Sequence, residues 1–249
     1  MNPMFHGKAV AVITLLMVVS AARAQDAFSS VGDAGISMGE STISTMQTGL
    51  VFESIRRKAG GAKRGSSRGI SRVAATTYRS DARVTARVES RYAQYAAGVS
   101  PNVGKIVAAD MKNFDPAPAW SKVVLPYGLH SGDIADTLAG YYLLNYVIAN
   151  KQTVNPTRVQ VLAFRNRLKT GLARNQKFAA FTDAQKQELS EVLMLNYLYQ
   201  HKAFSNAVAQ NNPAALQKLA DIAAKRFRKE MRLDPTKLVL TEKGFDPRS

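Results

Sequence analysis

Cysteine is absent from all 249 residues. That removes disulfides and thiolate chemistry together, so the chain must hold by core packing alone. A domain of about 150 residues buries roughly 68–70% of its surface, which is enough. Histidine is scarce as well, at three residues, one of them His6 at the very start. No H-E-x-x-H and no phosphate-binding glycine loop occurs, so the familiar zinc and nucleotide signatures are missing. Acidic residues are few: 18 Asp and Glu stand against 34 Lys and Arg, a formal charge of +16. Such an imbalance favours anionic partners, whether nucleic acid, anionic lipid or acidic envelope polymers.

The first residues read as a targeting segment. His6 and Lys8 give a positive start, Ala9 to Val19 is apolar apart from Thr14, and Ala22-Arg23-Ala24 is a small-x-small cleavage site. This is the anatomy of a secretory signal peptide, too short for a stable span. The expectation is residues 1–24 as signal, cleavage after Ala24, and a mature chain from Gln25 in the periplasm or the medium. Lacking a cysteine at the site, it is not a lipoprotein. The mature chain then carries +14, and export makes nucleic acid an improbable partner.

Residues 25–77 read as a low-complexity leader, rich in Ser, Thr and Gly. Ile43, Met46, Leu50, Val51 and Ile55 have the spacing of a short amphipathic helix weakened by Gly49. Arg56 to Arg72 follows with Arg56, Arg57, Lys58, Lys63, Arg64, Arg68 and Arg72, four glycines and no acid. Such a composition cannot bury enough apolar surface to offset chain entropy, and predicts a disordered basic segment. It reads either as an electrostatic tether or as a solubilising spacer.

Residues 78–249 read as an all-α domain of about six helices, an orthogonal or antiparallel bundle around a central apolar helix over 132–150. That stretch has no Lys, Arg or Glu, and apolar residues cover its whole circumference, the mark of a helix buried on all sides. Asp133, Asp136, Thr137 and Asn145 interrupt it, so it is no membrane span. Ser131 is placed to cap it. A first helix is expected over Ser80–Ala97, capped by Ser80 and stopped at Gly98, with Val84, Val88 and Tyr92 inward and Arg79, Arg83, Arg87 and Arg91 on an adjoining face. Ser100-Pro101 opens a second, which Asp115-Pro116-Ala117-Pro118 should end. Ala119 to His130 reads as a connector, extended over Lys122 to Leu125, with Trp120 and Tyr127 packed on the domain. Asn155-Pro156, Thr182–Gln185 and Asn212-Pro213 announce three more helices. Leu238-Val239-Leu240 reads as an extended return with Phe245 as a late anchor. No strand alternation competes, and no repeat of 34 residues supports a tetratricopeptide array.

Candidate chemistry is thin. His130, Asp133 and Asp136 offer an imidazole and two carboxylates, the donors of a metal site. The simpler reading has Asp133 stabilising a helix start and Asp136 paired with Arg165 or Arg167, because a buried carboxylate needs a partner. Glu188 and Glu191 lack the Glu-x-x-His companions of a di-iron bundle. Tyr141, Tyr142, Tyr146, Tyr197 and Tyr199 could line a groove between helices, or fill the core as aromatics commonly do. No catalytic residue and no cofactor is implied.

Leu125 to Tyr142 (LPYGLHSGDIADTLAGYY), Ala184 to Asn196 (AQKQELSEVLMLN) and Leu238 to Phe245 (LVLTEKGF) resemble a family of uncharacterised exported proteins of Gram-negative bacteria. The resemblance implies a helical exported domain behind a variable leader, and no activity. The functional expectation is a non-enzymatic module of the cell envelope engaging an anionic polymer or another envelope protein. The alternatives are a metal-dependent or other hydrolase of the periplasm, and a structural subunit of an envelope complex.

Overall fold

A computed structural model of the chain describes residues 74–112 and 114–248. The expected signal peptide, the Ile43–Ile55 helix and the basic run from Arg56 to Arg72 lie outside the described residues. Within them the protein is mostly helical, with eight α-helices, two 3-10 turns and one antiparallel hairpin.

Helix α1 spans Ala82–Val99. Its cap is Asp81, not Ser80: the carboxylate accepts from the Arg83 N–H at 2.9 Å. The helix also runs through Gly98. What stops it is Pro101, because a residue before proline is driven out of the helical region, and Ser100 sits extended at φ −156°, ψ 126°. Val84, Val88, Tyr92 and Ala96 form its buried stripe. Helix α2, Pro101–Met111, follows with Val103, Val107 and Met111 buried. The two helices touch backbone to backbone at Gly104, where an added Cβ would lie 2.3 Å from the Ala97 Cβ.

Helix α3, Pro116–Val124, corrects the expected connector. The D-P-A-P motif starts a helix here: Asp115 caps the Ala117 N–H at 2.9 Å and Pro116 occupies the first helical position. The stretch from Lys122 is therefore helical, passing into a 3-10 turn at Leu125–Tyr127. Trp120, fully buried, meets Gly140 so closely that a Cβ there would stand 3.1 Å from its ring.

Helix α4, Ile134–Ala149, is buried at every residue and packs on α5, α7 and α8, defined below. Asp133 caps it in place of Ser131, accepting from the Ala135 N–H at 2.9 Å. Residues 74–78 lie across its start: the Ile134 N–H donates to the Thr76 carbonyl and the Tyr78 N–H to the Gly132 carbonyl, each at 3.0 Å.

Helix α5, Arg158–Ala173, begins after the expected Asn-Pro, because Thr157 and Gln160 form a reciprocal capping box. Val161, Phe164, Leu168 and Leu172 are its buried stripe. A single turn, α6, Gln176–Ala179, was not expected; Asn175 caps it and Phe178 anchors it. Helix α7, Asp183–Ala209, starts at the expected Thr182–Gln185 box and continues unbroken past His201. Helix α8, Pro213–Met231, is capped by Asn212 and buries Leu219, Ala220, Ala223 and Phe227.

After a 3-10 turn at Pro235–Lys237, the expected extended return is a strand, β1, Leu238–Thr241, and it has a partner, β2, Gly244–Pro247. The register pairs Leu240 with Phe245. Phe245 is fully buried, its ring 4.7 Å from Phe164, 4.8 Å from Tyr146 and 5.9 Å from Phe227. The hairpin thus plugs the junction of α4, α5 and α8.

Candidate functional site

The carboxylates at the start of α4 are held by α5. Asp133 faces the Lys169 ammonium at 2.9 Å, and Asp136 faces the Arg165 guanidinium at 3.2 Å. The Asp136–Arg165 pair is a charge contact, while the aligned hydrogen bond to Asp136 comes from the His130 backbone N–H at 2.9 Å. Burial pushes the Asp136 carboxyl above its usual range, and the His130 N–H and Arg165 draw it back. Of the two partners expected for Asp136, Arg165 is the one present; Arg167 instead donates to the Phe245 carbonyl at 2.9 Å. His130 contributes its backbone and leaves its side chain exposed. Among the described residues no three His, Asp or Glu side chains are placed to hold a metal ion.

The five tyrosines are all buried. They divide among several contacts, with Tyr141 and Tyr142 edge to face at 5.3 Å. Tyr197 sits edge-on to Trp120 and stacks on His201. Tyr199 stacks on Tyr92 and donates to Asp110 at 3.2 Å. Tyr146 packs on Phe245, and Tyr142 on Phe227. Tyr141 donates to Glu230 at 2.9 Å.

That last bond belongs to a feature with no counterpart in the sequence reading, a buried polar belt across four helices. On one side the Tyr92 hydroxyl donates to Asn196 at 2.8 Å. On the other, Arg226 donates to the Asn145 side chain at 3.1 Å, and Asn145 donates to the Tyr141 carbonyl at 2.8 Å. Glu230 completes it, one turn after Arg226. Burial, with the neighbouring Glu230, drives the Tyr141 and Tyr142 phenols well above their usual range. Every one of these side chains is more than nine-tenths buried, so the belt can meet no substrate unless the helices part. Its role is to fix which helix faces which, since each buried polar group must find its partner. The available signal was Asn145 inside an apolar helix, together with Arg226 and Glu230 flanking the inward Phe227.

A second polar cluster joins α1 to α7. Glu191 accepts from the Thr85 hydroxyl and the Gln187 amide, each at 2.8 Å, and Gln187 accepts from the Asp81 N–H at 2.8 Å. Burial raises the Glu191 carboxyl, and Asp115 adds to the effect. Beside it the arginine row of α1 is largely spent on the fold: Arg87 and Arg91 both pair with Glu188, and Arg83 with Asp81 at 2.8 Å.

Most of the acid is thus committed within the fold, and base is in excess. Residues 74–248 hold 25 Lys and Arg against 14 Asp and Glu. Asp81, Asp133, Asp136, Asp183, Glu188, Asp234 and Asp246 lie in ion pairs, and Glu191 and Glu230 are buried. Lys105, Lys112, Arg174, Lys225 and Arg232 are exposed and have no carboxylate partner among the described residues.

The model of a family of unknown function, DUF6683, matches residues 6–248. The chain belongs to this family. The match extends across the described helices and over most of the preceding residues, so the family is defined by nearly the whole chain. No curated protein and no solved structure shows significant similarity to it. DUF6683 membership carries no activity and leaves the functional reading to the residues themselves. No helix among the described residues is long and apolar enough to cross a membrane.

Proposed function

We propose that the protein is an exported, non-enzymatic helical module of the cell envelope, built around α4, that binds an anionic partner through its surface charge. The observation that carries this reading is the excess of exposed positive charge: most carboxylates among the described residues are paired or buried, and exposed cations outnumber the rest. Export rests on the N-terminal sequence, with the mature chain beginning at Gln25, and gives the charge an acidic envelope polymer to meet. The basic run Arg56–Arg72 adds electrostatic affinity.

The test is co-sedimentation of the chain from Gln25 with purified cell-wall sacculi at low and moderate salt. The same is done with Arg56, Arg57, Lys58, Lys63, Arg64, Arg68 and Arg72 all changed to Gln. Binding that weakens steeply with salt, and weakens further in the variant, supports the reading. A chain that stays in the supernatant at low salt refutes it. Amino-terminal sequencing of the protein recovered from its host tests the export step, with Gln25 expected first.

A further inference from the structure

The exposed cations are not spread evenly. On α8, Lys218, Lys225, Arg228, Lys229 and Arg232 are all exposed, and their spacing places them on one face. Lys151 extends the line at its other end, its ammonium 2.9 Å from the Gln217 side chain. Two acids meet the face: Asp221 on it, which accepts from Gln217 at 2.9 Å, and Asp234 just beyond the helix, 3.6 Å from Arg228. Along the helix the row from Lys218 to Arg232 measures about 21 Å, at roughly 1.5 Å per residue.

Two ordinary explanations fall short. Cations in a last helical turn suit the helix dipole, which accounts for Arg228 and Lys229. It does not account for Lys218, Lys225 or Lys151. A merely solvated face normally interleaves the two signs, because like charges one turn apart repel. Here Lys225 and Lys229, and Arg228 and Arg232, stand four apart with the same sign. The backbone adds an independent argument. Lys151 and Arg232 have φ +50° and +53°, the left-handed region where Gly or Asn is the unstrained choice. Both ends of the row therefore carry a cation at a position that backbone preference would give to another residue.

We propose that the outward face of α8, from Lys151 to Arg232, is the docking surface for a hydrophilic linear polyanion, a polymer with phosphate or carboxylate groups spaced along its length. This rests on the anionic-partner reading above and says where the partner sits. A linear polymer fits better than a membrane. An interfacial helix buries large apolar side chains in the lipid, whereas the exposed large hydrophobic residues among the described residues are Leu125, Val154, Val159 and Val239, none of them on α8. Its apolar face, including Leu219, Phe227 and Met231, is turned into the core.

The experiment uses the chain from Gln25 and long-chain polyphosphate as probe, with binding followed by fluorescence anisotropy across a salt series. One variant carries Lys218→Gln, Lys225→Gln and Lys229→Gln. A second carries Lys105→Gln, Lys112→Gln and Lys122→Gln, which removes the same charge from exposed sites on and around α2 and α3. The α8 variant is expected to lose about tenfold in affinity near 0.1 M salt, with the log–log salt slope shallower by about 2, from the counterions no longer released. The second variant should stay within about twofold, the residual effect of net charge. Equal losses in the two variants would mean that net charge alone binds, and would overturn the assignment to α8. Tighter binding to anionic phospholipid vesicles than to polyphosphate would overturn the polymer. If the unaltered chain ignores polyphosphate, the anionic-partner reading falls with it. If it binds and the α8 variant binds equally well, only the α8 assignment falls.

Discussion

Phe245→Ala should strip several kcal/mol from the domain, although it lies only four residues before the last one. The ring is fully buried and meets Phe164, Tyr146 and Phe227 at centroid distances of 4.7, 4.8 and 5.9 Å. Those three rings belong to α5, α4 and α8, so the cavity left behind would open where three helices meet. Truncation of a buried Phe to Ala costs about 3–5 kcal/mol, through lost transfer energy and the unfilled volume. Against a total stability of roughly 5–15 kcal/mol, that is a large share. With a urea slope of about 2 kcal/mol per molar, the midpoint should fall by about 1.5–2.5 M. Phe245→Leu retains part of the volume and should cost about 1–2 kcal/mol, which keeps a measurable transition if the alanine variant fails to fold. Val239, on the solvent side of the same hairpin, is 38% exposed, and Val239→Ala should stay within about 0.5 kcal/mol. Circular dichroism during urea titration reads all three. A Phe245→Ala midpoint matching that of Val239→Ala would refute the hairpin as part of the core.

Leu144→Asp places an unpaired charge inside the fully buried α4 and should cost several kcal/mol, enough to abolish cooperative melting; a near-native melting temperature would refute the burial of α4. Gly104→Ala forces its Cβ to within 2.3 Å of the Ala97 Cβ and should destabilise by about 1–3 kcal/mol. Ala97→Gly should recover little of that loss, because the added Cβ would still stand 2.4 Å from the Ala97 Cα and 2.7 Å from its N; full recovery in the double variant would refute the backbone contact. Glu191→Gln tests a sign. Burial raises the Glu191 carboxyl in the folded state, so the native protein holds this proton more tightly than the unfolded chain. Its contribution to stability is then most favourable near the unfolded value of about 4.3 and declines as pH rises through the folded one. Stability of the unaltered chain minus that of Glu191→Gln, from urea melts between pH 4 and 8, should fall as pH rises; a flat or rising difference would refute the assignment.

Much of the helical layout was legible because its signals are local. Thr182 with Gln185, Ser100 before Pro101 and Asn212 before Pro213 mark helix starts within four residues, and Val161, Phe164, Leu168 and Leu172 mark a face within three turns. The errors arose where one local signal serves two purposes. Asp115-Pro116-Ala117-Pro118 ends one helix and caps the next, so the start of α3 was read as a stop. Strands of four residues are too short for alternation to register, and β2 contains Gly244 and Pro247, which argue against a strand when taken alone. The polar belt was hidden for another reason. Tyr92 and Asn196 stand 104 positions apart, Tyr141 and Glu230 89 apart, and nothing near either member of a pair announces the other. Asp136 was the exception. A carboxylate one turn inside an apolar helix demands a cation, and the nearest arginines on a following helix were a short list.

The same logic of pairing turns a composition into a surface. A net charge read from the sequence treats each acid as equally able to cancel a base. In the folded chain it is not: Asp136 faces Arg165 across α4 and α5, Glu188 holds two arginines of α1, and Glu191 is buried. These acids are committed before any partner arrives. The field outside is then set largely by the exposed cations, which are in excess, and five of them share one face of α8. Screening limits such a field to about 10 Å at 0.1 M salt, so a scattered excess of charge would act only as a weak general attraction. In a row of like charges one to two helical turns apart, each cation lies within about that length of its neighbour, and neighbours act together on a single ligand. This is why salt slope, compared between two variants of equal net charge, separates a surface from a sum.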